Sequence, residues 1–550
     1  MPEVREHIPA SPDAAEPDVI VVGGGLAGVC AAITAAERGA SVVVLDGAHG
    51  GGSSAISGGV IYAGGGTRQQ QEAGYGGDTP ENMFRYLREE IGTGVVGEPT
   101  LRRFCDESVA RMEWLQSHGV SFGGSLCPFR TSYPTDRYSL YFSGNEKAYP
   151  FATVAQPAPR GHRVVGDGAG GMNMTGNVLW ETMFNSAVQI GVKFKFASKV
   201  EQLLLGDSTG TVHGVRYLSL DESSGEFAKH RALKASGSKY HQLSIQSLAS
   251  WYDKRADTLW RRNAKEKSLK ASAVILSAGG FGMNEIMMKE FIPWSSRVSP
   301  LGTSGDDGSG IKLGQSVGGA VSHMHRMSAW RLMYPPEALV EGIVVSAKGE
   351  RIAAEDLYGA SFSDVMIEKA NGCGYLILDS RQWKGVNDQI VEQTQMPWRA
   401  FIRYLVYWAH KRAGSLGGLA RKLGVDPTTM ESTVTAYNDA IIDGKPDPVN
   451  KLGWRSVINE GPFYGIDISL RRSGMLVVPA LPLGGLKVEE ETGLVLNKNG
   501  EVIHGLYAAG KNAVGVCSNN YVSGLALADC VFSGKRAGGH VIIQHKVTNE

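Results

Sequence analysis

Three glycines and one acid carry the first legible chemistry. Gly23, Gly25 and Gly28 stand at G-x-G-x-x-G spacing directly after the apolar run Val19 to Val22, and Asp46 follows a second run, Ser41 to Leu45. Short β-branched runs of this kind are strands buried on both faces. At this spacing the first glycine makes a tight turn, the second lets backbone approach a pyrophosphate, and the third lets a helix pack closely on a strand. An acid roughly 20 residues on bonds ribose hydroxyls. Leu26 and Ala27 open the intervening helix, which runs through an Ala-rich stretch to Arg38 and stops at Gly39. Strand, glycines, helix, strand and acid in that order point to dinucleotide binding.

Further glycine-rich stretches lie downstream. Gly50 to Gly66 contains Gly52, Ser53, Ser54, Ser57, Gly58 and Gly59 interleaved with Ala55, Ile56, Val60, Ile61 and Tyr62. Small residues are needed where backbone lies against something flat and polar, such as a flavin ring and its diphosphate. The strand Ala273 to Leu276 leads into Ala278, Gly279 and Gly280, and the loop Gly302 to Gly310, with Asp307, opens a helix through Ile311. A glycine loop ending at a helix start offers amide donors and a positive dipole to an anion. Gly166 to Asn173 is another glycine loop. The chain closes with Gly505 to Gly510 and the stretch Asn519 to Leu527, followed by a helix to Gly538. His323 and His325 alternate on an expected strand and, without a third ligand nearby, read as structural; no metal is expected.

The elements that must position these loops imply several units, since 550 residues exceed one ordinary core. The boundaries read as 1–323 for a first dinucleotide-binding part, 324–480 for a helix-rich unit with more Trp and Met, and 481–550 for a return to small residues and strands. In the middle unit Pro397 to Ala413 reads as one strongly apolar helix. The segment Tyr133 to Tyr149 is aromatic-rich and irregular, suited to lining an apolar pocket. From about 228 to 270 the chain is basic, and Ser244 to Arg262 places Leu248, Trp251, Tyr252, Leu259 and Trp260 near one helical face. Such a helix can lie on an anionic membrane surface or pack back on the protein.

Global composition excludes other classes. With 55 basic and 55 acidic residues, nothing suggests a nucleic-acid partner. The six cysteines form no CxxC pair or haem-attachment site, which suits reduced thiols and a cytoplasmic setting, with the basic segment able to touch the inner face of a membrane. Met1 to Glu16 is polar and does not read as a signal peptide, and no run reaches the roughly 18 apolar residues of a membrane span.

Four separated segments together, GGGLAG with its acid, SSAISGG, AVILSAGGF and GLYAAG, resemble the FAD-binding family of fumarate reductase flavoprotein subunits and 3-ketosteroid dehydrogenases. The resemblance runs from about Pro17 to Gly538, apart from the basic insertion. It implies an α/β fold, a Rossmann-type FAD-binding domain split in sequence with an inserted α+β cap domain, and FAD as cofactor. It also implies that Gly510 and Leu525 reach the flavin.

Fumarate reductases clamp a dicarboxylate with arginines and a histidine. Here Tyr358 stands about where that family's proton-donating arginine would be, Pro479 to Leu483 carries no histidine, and Asn520 to Ser523 replaces another arginine. A dicarboxylate would leave charges unpaired, at a cost of several kcal/mol. Tyrosines at both positions are what ketosteroid dehydrogenases use, and Tyr521-Val522-Ser523-Gly524 resembles the Δ4-(5α) members rather than the Tyr-x-Gly-Pro-Gly of Δ1 members. The implied reaction oxidises the A ring of a 3-ketosteroid. Tyr521 and a backbone N–H of the Ser523, Gly524, Leu525 turn bind the ketone, Ser523 with Tyr358 takes the C4 proton, and the C5 hydride goes to flavin N5. A Δ1-dehydrogenase, a flavin-dependent enone reductase and an FAD-containing binding protein without turnover are the competing readings. With no haem or iron-sulfur ligands, the electron acceptor is expected to be external.

Overall fold

A computed structural model describes residues 16–548, except 169–173, 207–209, 244, 332–333, 397 and 475–476. The Gly166 to Asn173 loop therefore lies largely outside the described residues, as does most of Met1 to Glu16. The central sheet has six strands in the order Leu494–Leu496, Val502–Ala508, Ala273–Leu276, Val19–Val22, Val42–Leu45, Lys193–Lys195. All pairs are parallel except the outermost, Leu494–Leu496 against Val502–Ala508. Val19–Val22 lies between Val42–Leu45, to which the chain goes next, and Ala273–Leu276, to which it returns on the other side, so its carboxyl end is the crevice where ligands bind in such sheets. Its four residues are all buried, as the β-branched run requires.

The helix Leu26–Glu37 starts there and is covered by the last helix, Leu525–Thr548. Their closeness depends on glycine. A Cβ on Gly534 would stand 2.4 Å from the Ala27 carbonyl oxygen, and one on Gly538 would stand 2.2 Å from that of Ala31. The C-terminal segment is thereby fixed on the first helix, more than 500 residues away in sequence.

Within 324–480 the strands Ile343–Val345, Tyr375–Leu378, Phe463–Asp467 and His410–Ala413 form a separate four-stranded sheet in that order. The expected helix over 397–413 is shorter. It spans Trp398–Tyr407, and His410–Ala413 is an edge strand paired with Phe463–Asp467, because sheet pairing overrides the apolar periodicity. His323 is not in a strand either. It follows Val321–Ser322 with φ of 56°, although its ring stacks on that of His325 at 6.4 Å between centroids. The segment 133–149 is not wholly irregular, since Leu140–Tyr141 pairs with Gly161–Arg163.

The basic segment is a hairpin of two helices, Gly225–Gln242 and Gln246–Asn263, rather than one amphipathic helix. Its apolar contacts point inward. Trp260 donates through Nε1 to the Ala197 carbonyl at 3.0 Å, and Tyr252 stacks on Tyr240. Among its described large apolar residues, Trp251 and Ile245 are the exposed ones. Among the described residues no helix is long and apolar enough to cross a membrane.

Gly538→Ala is expected to lower stability by about 1–3 kcal/mol through overpacking against Ala31. Gly539→Ala, one residue on, is expected to be neutral or stabilising, because its Cβ would meet only the Arg38 guanidinium at 3.5 Å. Urea midpoints of the two variants check the pair.

Candidate active site

A cavity of about 530 Å³ opens at the carboxyl end of Val19–Val22. It is walled by Gly23, Gly25, Leu26 and Ala27, by Gly52, Ser53 and Ser54, and by Ala278 and Gly279, with Asp46 and Asp307 also on its lining. Gly23 has φ of 104°, and a Cβ there would meet the Ser277 carbonyl oxygen at 2.5 Å, so this turn admits only glycine. Gly25 is the N-cap of Leu26–Glu37 and supplies no side-chain cap. Apart from the Leu26 N–H, which donates to Ser54 Oγ at 3.2 Å, the first turn is left for an anion. Gly28 does not line the cavity. A Cβ there would lie 2.1 Å from the Gly23 carbonyl oxygen, so its role is close packing.

Asp46 holds the loop around this cradle. Its carboxylate accepts from the N–H groups of Gly24 at 2.8 Å, Ala48 at 2.9 Å and Gly50 at 3.1 Å. Asp307 lines the cavity but is turned to Lys199 Nζ at 3.0 Å and caps the Ser309 N–H at 2.9 Å. Its neighbour Asp306, not singled out from the sequence, is the acid that binds the cradle together. It accepts from Ser53 Oγ, from Gly280 N–H at 2.8 Å and from Lys511 Nζ at 2.6 Å. Burial alone would raise its pKa; Lys511, Ser53 and Gly280 outweigh that and hold it below the usual carboxylate range. The adjacent acids Asp306 and Asp307 differ only in direction, which spacing does not encode. Ser57, Gly58, Gly59, Gly280, Gly510 and Leu525 do not line this cavity. The first three lie where Tyr133 Oη donates to the Gly58 carbonyl at 2.8 Å, and a Cβ on Gly59 would strike Thr175 at 2.5 Å.

A second constellation brings Tyr358, Tyr521 and Ser523 together. The Gly524 N–H lies close to the Tyr521 phenol oxygen, so a phenol and a backbone donor stand side by side. Ser523 Oγ lies 2.7 Å from Tyr141 Oη and close enough to the Tyr358 hydroxyl to favour its charged form. Tyr141 was legible only as one aromatic of the 133–149 stretch. Trp330 packs edge-on against Tyr521 at 4.8 Å between centroids.

Burial pushes the phenols of Tyr358, Tyr141 and Tyr521 well above their ordinary range. For Tyr358 the neighbouring phenols Tyr521, Tyr141 and Tyr334 add to this, and Ser523 partly offsets it. These groups therefore act as neutral donors. They also suit an uncharged ligand atom better than a carboxylate.

The backbone delivers these side chains by separate devices. Ser523 N–H donates to the Ser143 carbonyl and Tyr62 N–H to the Gly524 carbonyl, both at 3.1 Å. Gly524 has φ of 91°, and a Cβ there would stand 2.8 Å from Tyr62 N, so the turn requires glycine. Tyr358 ends a loop pinned by buried ions. Arg351 pairs with Glu355 at 2.7 Å and Asp447 at 2.8 Å, and Lys451 reaches Glu355 at 3.4 Å. The Tyr358 N–H donates to Asn145 Oδ1 at 2.6 Å, and Asn145 Nδ2 in turn donates to the buried Glu90 at 2.9 and 3.0 Å.

Residues 18–527 match the sequence model described as FAD binding domain. The chain belongs to this FAD-binding family. Its cavity fits the cofactor, with a glycine cradle, an open helix start and an acid at the second strand's end. Within the family it is 34% identical over 516 residues to the 3-oxo-5-alpha-steroid 4-dehydrogenase of Comamonas testosteroni, covering 90% of this chain and 92% of that protein. It is similar in structure to the 3-ketosteroid-delta4-(5alpha)-dehydrogenase of Rhodococcus jostii RHA1, solved with 4-androstene-3,17-dione. There the TM-score is 0.79 and the identity 28%, over 96% of this chain and 97% of that one. The fold is shared with the 3-ketosteroid delta1-dehydrogenase of Sterolibacterium denitrificans at a TM-score of 0.65 and 18% identity, over 96% and 99% of the two chains.

Glu90 gives a pH signature to the Tyr358 support. Burial raises its pKa to about 7 against the donors Asn145, Tyr86 and Ser361, which lower it. A raised folded pKa means that this group's stabilisation is complete below the ordinary carboxyl range and is lost as pH rises through about 7. The loss is expected to be no more than about 3 kcal/mol. Glu90→Gln should remove that component, so urea midpoints of wild type and variant should diverge in slope between pH 5 and 8.

Proposed function

We propose that this FAD-binding protein dehydrogenates the A ring of a 3-ketosteroid at C4–C5. The observation that carries the reading is the pairing of two uncharged donors, Tyr521 Oη and Gly524 N–H, beside a hydroxyl cluster of Ser523, Tyr141 and Tyr358. The similarity to two proteins named as Δ4-(5α) dehydrogenases supports it.

In this reading Tyr521 and the Gly524 N–H hold the 3-keto oxygen and stabilise the enolate as charge develops there. Polarising the ketone acidifies the C4 hydrogens. Ser523 accepts a C4 proton while passing its own to Tyr358, which gives up its phenol proton towards solvent in the same relay, so that each hydroxyl ends neutral; a lone serine hydroxyl is too weak a base without such a relay. Bound FAD supplies the acceptor for the hydride that leaves C5. Water exclusion comes from the burial of Tyr141, Tyr358 and Trp330. Removal of hydrogen from C1–C2 in place of C4–C5, or reduction of an enone, is separated by identifying the carbon pair that changes.

The partner is then an apolar steroid together with an external electron acceptor. Contact of the 228–270 segment with an anionic membrane is a weaker reading, since it would rest on Trp251 and Ile245. A cytoplasmic setting fits the cysteines, which are free in the structure where described.

Under anaerobic conditions a saturated 5α-3-ketosteroid is expected to bleach the flavin absorbance and yield the 4-ene, identified by mass spectrometry and NMR. No bleaching would leave a binding protein without turnover. Tyr521→Phe should lower turnover by about 10²–10³ while FAD stays bound. Undiminished turnover would remove Tyr521 from the reaction.

A further inference from the structure

The helical hairpin leaves the chain where a simple turn would suffice. Strand Val212–Ser219 pairs antiparallel with Lys265–Lys270, and Ser219 lies opposite Lys265, so both helices are an excursion from the end of a β-hairpin. The excursion folds back. Gln242 Nε2 donates to the Ile56 carbonyl and Gln246 Nε2 to the Pro300 carbonyl, each at 3.1 Å. Lys234 Nζ reaches Asp257 Oδ1 at 2.7 Å on the second helix and Ser304 Oγ at 3.3 Å in the glycine loop.

These bonds seat the hairpin across the FAD cavity. The first helix lines it with His230, Lys234 and Ser238, which recur at one-turn spacing on one face. The second lines it with Asp257, Trp260 and Arg261. Asp46, His49 and Ser198 to Glu201 line the same cavity. In a Rossmann-type site the diphosphate lies on the first glycine turn, and the adenosine runs outward past the acid that ends the second strand. His230 lies close enough to Asp46 and His49 to feel their charges, which puts the hairpin over the adenosine end.

We propose that this hairpin is a clasp on the adenosine half of FAD, with His230 and Arg261 as its ligand-facing groups. His230 is 1% exposed, and its Nδ1 has no hydrogen-bond partner among the described residues. Burial, with Lys234 nearby, lowers its pKa to about 4, so the ring is neutral and offers one donor and one acceptor to ribose or adenine. Arg261 is exposed at the cavity's edge and makes no ion pair among the described residues. A planar guanidinium there can stack on a purine or pair with a phosphate. Where the sequence allowed a membrane-facing surface, the geometry assigns these cationic and aromatic side chains to the cofactor.

The test follows FAD release from the holoenzyme by the rise of free-flavin fluorescence on dilution, and the competition of ADP and of FMN against FAD rebinding. His230→Ala/Arg261→Ala is expected to release FAD at least tenfold faster and to weaken ADP competition in parallel, with FMN competition unchanged. Arg261→Ala alone, at an exposed position, is expected to speed release about threefold and keeps the test open should the double variant not fold. Arg255→Ala, which removes a charge over the exposed Trp251 ring, is expected to leave release unchanged. Unchanged release in both cavity variants overturns the proposal. So does equal weakening of ADP and FMN, or an Arg255→Ala effect as large as that of Arg261→Ala.

Discussion

The contact between the first and last helices is the constraint on which both halves of the site depend. Gly534 and Gly538 let the helix Leu525–Thr548 press its backbone against Ala27 and Ala31, with no room for a β-carbon at either position. The first helix begins at the glycine cradle, and the last begins at the Ser523 to Leu525 turn. Fixing one against the other therefore fixes the separation between the dinucleotide cradle and the hydroxyl cluster. No local interaction could do this, because the two starts belong to opposite ends of the chain. The same packing explains why the central sheet takes Val502–Ala508 beside Ala273–Leu276, as the returning strand must precede a helix that lands on Leu26–Glu37.

The chemistry of the second constellation is set by what is buried rather than by charge. Burial keeps Tyr141, Tyr358 and Tyr521 as neutral phenols, and the Ser523 hydroxyl lies 2.7 Å from that of Tyr141. Charged groups are kept one layer back. Arg351, Glu355, Asp447 and Lys451 neutralise one another and spend their electrostatics on holding the Tyr358 loop. A buried ion cluster of this kind adds little net stability, but losing one partner strands the others, so it acts as a rigid peg. An anionic substrate would find donors without counter-charge here, which is the physical ground for preferring a ketone over a dicarboxylate.

Legibility in the sequence followed periodicity and backbone demand. The strands Val19–Val22, Val42–Leu45 and Ala273–Leu276 were legible because complete burial leaves an unbroken apolar run, and Gly23 because a positive φ tolerates little else. Tyr358, Tyr521 and Ser523 came from resemblance, and their proximity is a property of the fold that no local pattern carries. The sequence points to Asp307 rather than Asp306, because two adjacent acids in one loop look alike until the turn decides which faces Ser53. Tyr141 was hidden among Tyr133, Tyr138, Phe142 and Tyr149, where hydrophobicity alone does not say which hydroxyl meets a distant serine. The apolar stretch after Pro397 reads as one helix to Ala413, but the helix ends at Tyr407 and His410–Ala413 pairs with Phe463–Asp467.

The basic segment shows how one pattern supports opposite surfaces. Lysines, arginines and aromatics at helical spacing suit a membrane only if the aromatics share an exposed face. Trp260 instead spends its N–H on Ala197, and Tyr252 spends its ring on Tyr240. Lys234 is shared between Asp257 and Ser304, so one cation joins the two helices and ties both to the cofactor loop. Such a side chain cannot leave for a lipid headgroup without unpairing Asp257 and releasing Ser304. Lys234 is thus committed to the molecule's own interior, whereas Lys229, Lys254 and Arg262 of the same segment stay exposed.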